Sequence, residues 1–81
     1  MAQPTLRQLA ALVAIADTGL FKTAAEKLHV SQPALSEQVS QLEYRLGATL
    51  IERDRRGARL APVGREIAVR ARDILQSVSE L

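Results

Sequence analysis

The chain has 81 residues, with eleven basic and nine acidic side chains and a formal net charge of +2 at pH 7. A hydrophobic content of 47% supports a folded core, and 25% charged residues with so small a net charge argue against a disordered tail. The lack of cysteine excludes a disulfide scaffold, an iron–sulfur site and a thiol nucleophile, and fits a reducing, cytoplasmic setting.

At this length one core is expected. No apolar run approaches the roughly 18 residues of a membrane span, and the first residues lack the basic-then-apolar pattern of a signal peptide. Phe21 and Tyr44 are the only aromatics, so the core must be built from Leu, Val, Ile and Ala.

Thr5 precedes the first periodic stretch and Gln8 follows three residues later, the signature of a capping box. Leu6, Leu9, Leu12, Val13 and Ile15 recur at helical spacing until Gly19, which predicts a helix over Leu6 to Thr18. Phe21, Ala24, Ala25 and Leu28 share one side of a short second helix, and the paired alanines allow close approach of another helix. Leu20 is a poor cap for it.

After the break at His29 and Val30, Ser31 is a good cap and Pro33 sits in the first turn, where its missing N–H costs nothing. Leu35, Val39, Leu42 and Leu46 form one narrow seam, predicting a third helix over Gln32 to Leu46, stopped by Gly47. At 100° per residue, Pro33, Glu37, Ser40 and Gln41 point away from that seam, flanked by Gln32 and Ser36. This outer face is polar, short-chained and poor in Lys, unlike a helix that merely faces water.

Two short extended runs, Thr49 to Arg53 and Ala58 to Leu60, flank the polar turn Asp54-Arg55-Arg56-Gly57 and predict a hairpin. Residues 53–59 carry four arginines against one aspartate, the local concentration of the chain's positive charge. Such a cluster is by itself compatible with a solvated loop, but arginine also suits planar contacts to phosphates and base edges. A last helix is predicted from about Val63 to Leu81. There Ile67, Ala71, Ile74, Val78 and Leu81 recur at alternating steps of four and three, a two-heptad seam fit to pair with a second copy.

Two helices joined by a tight turn, the second burying one stripe and baring a polar one, make a helix-turn-helix, and a hairpin after it makes a wing. The expected fold is therefore mainly α: a winged helix-turn-helix of three core helices and a small β-hairpin over residues 1–62, followed by a linker and dimerisation helix over residues 63–81. Double-stranded DNA is the expected partner. Lys22, Thr23, Ser31, Gln32, Pro33, Ser36 and Glu37 are the candidate contacts from the two helices, with Arg53, Arg55 and Arg56 on the wing. Ile67, Ala71, Ile74 and Val78 are the candidate homodimer seam.

An enzyme fits poorly. There is one His, with no second to complete a metal site, and neither GxxxxGK[ST] nor GxGxxG occurs, so no cofactor or metal is expected. A small helical dimeriser that binds an acidic protein is the competing reading. RNA is disfavoured because two aromatics offer little stacking surface for unpaired bases.

The run Ala24-Ala25-Glu26-Lys27-Leu28-His29-Val30-Ser31-Gln32-Pro33-Ala34-Leu35-Ser36 resembles the N-terminal domain of LysR-type transcriptional regulators. So do Gln41-Leu42-Glu43, Leu46-Gly47, Glu52-Arg53 and Pro62-Val63-Gly64, in the same order, and the resemblance spans about Leu6 to Leu81.

The resemblance implies a bacterial, DNA-binding, homodimeric transcription factor acting on an interrupted inverted repeat. In that family Ser31, Gln32, Pro33 and Ser36 occupy groove-facing positions, and Arg53 stands on the wing strand near the DNA backbone. It also implies that any small-molecule or redox effector acts through a C-terminal domain outside this segment. A weaker likeness points to the family's peroxide-sensing branch, whose redox cysteines would lie in that domain. Four residues depart from the family's pattern: Leu20 for a capping Ser, Glu37 at an often basic position, Ile51 for Phe, and Ala61 for a capping Thr.

Overall fold

The structure, a computed structural model, describes residues 3–81. Its elements in chain order are α1 (Leu6–Thr18), α2 (Phe21–Leu28), α3 (Gln32–Leu46), β1 (Ile51–Asp54), β2 (Gly57–Leu60) and α4 (Pro62–Ser79). The first three helices fall on their predicted spans, and local chemistry explains why. Thr5 Oγ1 accepts the Gln8 N–H at 3.1 Å while Gln8 Oε1 accepts the Thr5 N–H at 3.1 Å, so the capping box at α1 is reciprocal. Ser31 Oγ caps α3 by accepting from the Ala34 N–H. Leu20 and Ala61, as expected of apolar caps, give α2 and α4 no side-chain hydrogen bond.

α1 is the central helix, packing against α2, α3, α4 and β2. Leu12 and Ile15 from α1, Ala24 from α2, Leu35, Val39 and Leu42 from α3, and Leu50 before the hairpin form an aliphatic core. Phe21 is only half-buried at its edge. At the far end of α1, Asp17 accepts from Arg72 of α4 and from Lys27 of α2, clamping three helices together. The hydrogen bond from Arg72 chiefly holds the Asp17 carboxyl below its usual range, and Lys27 adds to the effect.

β1 and β2 pair antiparallel with Ile51 opposite Leu60 and Asp54 opposite Gly57, leaving Arg55 and Arg56 at the tip. Asp54 organises that tip: Oδ1 accepts the Arg56 N–H at 2.8 Å and Oδ2 pairs with Arg59 at 3.3 Å. The wing is hooked to the core at two points. The Ala58 N–H donates to the Gly19 carbonyl, an approach so close that a Cβ on Gly57 would lie 2.7 Å from that oxygen. On the other side, the Glu43 carboxylate of α3 accepts the backbone N–H groups of Leu50 and Ile51 at 2.8 and 3.3 Å, fixing where β1 leaves the core.

α4 begins one residue before the predicted start and ends at Ser79, so Leu81 lies beyond it, fully exposed. The packing also continues past residue 62. Gly64, Ala68 and Ala71 are buried against the rest of the chain, so the first three turns of α4 share the one core. The predicted seam is thereby split. Ala71 is 1% exposed and covered by its own chain, and Ile67 is half-buried against the core, whereas Ile74 (45%) and Val78 (42%) are exposed. The apolar arc on α4 is simply wider than one partner surface. Its small residues turn toward α1, and the branched ones beside them remain outside.

Candidate nucleic-acid interface

α3 offers Gln32, Pro33, Ala34, Glu37, Ser40 and Tyr44 as exposed residues, with Ser36 and Gln41 half-exposed at the margins. The two margins are held by different elements. On the wing side, Arg53 of β1 donates from a guanidinium nitrogen to Ser36 Oγ at 3.1 Å, and its guanidinium carbon lies 4.0 Å from the centroid of the Phe21 ring. Stacking and hydrogen bond together fix the arginine, while its remaining N–H groups stay available. On the α1 side, Gln41 donates to Glu37 Oε1 and accepts from Gln8, both at 3.1 Å.

The predicted contact residues converge from three elements. Lys22 at the start of α2, Gln32 and Ser36 of α3, and Arg53 of β1 line one shallow cleft of about 340 Å³, together with Leu20, Phe21, Asp54 and Gly57. Lys22 and Thr23 are exposed in the first turn of α2, where no side chain caps the free N–H groups. Backbone donors, a helix N-terminus, a Lys and an Arg in one cleft suit an anionic oxygen. Arg55 and Arg56 do not line it; they stand exposed at the hairpin tip. Ser31 is exposed with its hydroxyl engaged as a cap, and Pro33 and Glu37 lie on the open face. Arg59, paired with Asp54, is turned toward a different hollow, between β2 and α4.

Sequence reasoning missed three participants. Tyr44, 88% exposed, extends the open face of α3 by one turn beyond Ser40; its spacing from Gln41 and Ser40 was the available signal. Glu43 carries the wing through its contacts with Leu50 and Ile51, a role that its place in the run Gln41-Leu42-Glu43 did not reveal. Gln8 is 1% exposed and reaches α3, a tie invisible in a reading that stops at its cap. His29, at the break after α2, is the C-cap of that helix rather than a packed side chain. It is exposed at φ 59° as the left-handed residue that ends α2, the one non-glycine among the described residues to adopt positive φ. Among the described residues no cluster of three or more His, Cys, Asp or Glu could hold a metal ion, and no helix is long and apolar enough to cross a membrane.

A three-helix core whose third helix stands open beside an arginine-rich hairpin defines a winged helix-turn-helix. Residues 6–65 match the model of the bacterial regulatory helix-turn-helix proteins of the LysR family, and the chain belongs to that family.

Among its relatives, a probable hydrogen peroxide-inducible genes activator of Streptomyces viridosporus is 47% identical over 79 residues, covering 98% of this chain and 25% of that protein. The oxidized form of OxyR from Corynebacterium glutamicum superposes with a TM-score of 0.94 at 40% identity, over 98% of this chain and 24% of that one. The DNA-binding domain of CbnR, solved as a complex with DNA, superposes with a TM-score of 0.89 at 39% identity, over 94% of this chain and 87% of that one. The chain therefore spans about a quarter of the length of the curated regulators it resembles.

Proposed function

We propose that this chain is the sequence-specific, double-stranded-DNA-binding part of a LysR-type transcriptional regulator. The observation that carries the reading is the open polar face of α3, held on both margins and set beside a cleft of cationic and backbone donors. The match to a DNA-bound relative over nearly the whole chain supports it.

In this reading α3 lies in the major groove, which is wide enough to admit one helix. Gln32, Ser36 and Glu37 face base edges, and Pro33 meets a thymine methyl. Ser31, Lys22 and Thr23 sit at the backbone of one strand. Arg53, braced by Phe21 and Ser36, presents its free N–H groups to phosphate, and Arg55 and Arg56 reach phosphates or a narrow minor groove from the wing tip. The free part of the α4 seam, Ile74 and Val78 with Ile67 at its edge, pairs with a second copy, and Ala71 supports it from within. Two α3 helices then address two half-sites of an interrupted inverted repeat. The first three turns of α4 belong to the reading head, with Arg72 tied to Asp17, so the free part of the helix begins after Arg72. The chemistry is binding, not catalysis, and a regulatory effector would act through the part of the protein beyond this chain.

Selection of bound sequences from random duplexes tests the proposal. A two-part motif with constant half-site spacing is expected, and binding that enriches no sequence would refute it. Gln32→Ala should weaken the selected site by about 1–3 kcal/mol with little change on random DNA. Neutralising about 6–10 phosphates per dimer predicts a slope of log K against log[salt] of roughly −5 to −9. A tight complex with an acidic protein and no such slope on DNA would instead favour an interaction module.

A further inference from the structure

Glu37 is held by a chain of hydrogen bonds that starts in the backbone of another helix. The Thr5 N–H donates to Gln8 Oε1, Gln8 Nε2 donates to Gln41 Oε1, and Gln41 Nε2 donates to Glu37 Oε1, each at 3.1 Å. Both ends dictate its direction. A backbone N–H requires an oxygen opposite it, and a carboxylate requires a donor, so neither amide can turn over without placing like against like at both of its contacts. Gln8 is 1% exposed, which keeps water from substituting for it. The usual capping-box partner of a Thr is as readily Glu as Gln. Only Gln can both satisfy the cap and pass a donor onward to Gln41.

We propose that Gln8 and Gln41 are positioning residues that lock the Glu37 carboxylate as a fixed acceptor on the reading face of α3, making Glu37 a selector for cytosine in each half-site. The inference rests on the DNA-binding reading above. A carboxylate only accepts, and cytosine offers its N4 amino group in the major groove without an acceptor of its own there. Guanine and thymine present carbonyl oxygens that repel the carboxylate, whereas adenine, which also donates from its N6 amino group, sets its N7 acceptor beside that donor, so cytosine is the base that offers a donor alone. An unheld Glu37 would swing on three rotatable bonds and lose that discrimination, since a mobile acceptor orders itself only at an entropic cost. The locked carboxylate also stands away from the cationic cleft on the opposite margin, where Lys22 and Arg53 would otherwise draw it.

The test is selection from random duplexes with the 81-residue chain and three variants, alongside affinity for a random-sequence duplex and the thermal midpoint of each. Wild type should enrich cytosine at one fixed position per half-site. Glu37→Gln, which both donates and accepts, should lower that enrichment by about fivefold or more.

Gln8→Glu keeps the cap but has no donor for Gln41, whose amide then turns its oxygen toward Glu37; the same loss is expected. Gln41→Met breaks the chain at a half-exposed position and guards against a folding defect in the Gln8 variant. Loss in all three, with random-duplex affinity little changed in the Gln8 and Gln41 variants, supports the proposal. Loss in Glu37→Gln alone overturns the positioning roles of Gln8 and Gln41, and retention in all three overturns cytosine selection. If wild type itself enriches no sequence, the DNA-binding reading fails, which is distinct from either of those results.

Discussion

Gly64 provides the sharpest stability prediction. It lies in the first turn of α4, where the helix crosses the Leu50 backbone, and a Cβ built there would stand 2.2 Å from the Leu50 carbonyl oxygen and 3.0 Å from its carbon. Ordinary carbon–oxygen contacts need about 3.3 Å, so in Gly64→Ala the start of α4 must withdraw by about 1 Å. The same carbonyl accepts the Ala61 N–H at 2.9 Å, and that withdrawal stretches the bond.

Overpacking costs about 1–3 kcal/mol and a weakened buried hydrogen bond about 0.5–1.5 kcal/mol. Alanine's better helix propensity offsets about 0.5–1 kcal/mol. A net loss near 2 kcal/mol should lower the midpoint of a chain this size by roughly 8–16 °C. Thermal unfolding followed by circular dichroism at 222 nm, about the helical minimum, reads it directly.

Gly47→Ala is the comparison. Its Cβ would meet nothing within 4 Å, but φ there is +66°, so it should cost about 1–2 kcal/mol through backbone conformation alone. If Gly64→Ala unfolds at the wild-type temperature, the close approach of α4 to Leu50 is not what holds the helix in place.

Three further outcomes are expected. Arg56→Ala should weaken every duplex alike and flatten the salt dependence by about one unit per chain; an unchanged slope would remove Arg56 from the phosphate contacts. Asp17→Asn should destabilise the fold at neutral pH. Because the folded-state pKa of Asp17 is lowered, the wild-type advantage is present above its ordinary value near 3.8 and fades as the pH falls through the folded value. Thermal midpoints of the two proteins should therefore converge in acid, and a gap that persists there would assign the loss to packing. Ile74→Glu places a charge on the exposed half of the α4 seam and should yield monomers in sedimentation, whereas Ala71→Ser should leave the association state unchanged. Persistent dimers of the Ile74 variant would place the contact elsewhere.

Much of the molecule is legible along the chain because its helix ends are set by neighbours in sequence. The Thr5 and Ser31 caps act over three residues, and the glycines after α1 and α3 complete the same local accounting, so the spans of α1 and α3 follow from pattern alone. The open face of α3 is equally readable, since a 3.6-residue period turns Leu35, Val39 and Leu42 inward and leaves Pro33, Glu37 and Ser40 outside.

Periodicity says that a stripe is apolar, however, not what covers it. On α4 only the approach of α1 decides that Ala71 is consumed by its own core while Ile74 is not. Contacts that span the chain are silent in the sequence for the same reason. The reach of Glu43 to the start of β1, of Arg53 to Ser36 and Phe21, and of Gln8 to Gln41 depends on where whole elements settle. Hydrogen-bond direction and steric clearance are short-range forces, and only the packed fold brings those groups within their range.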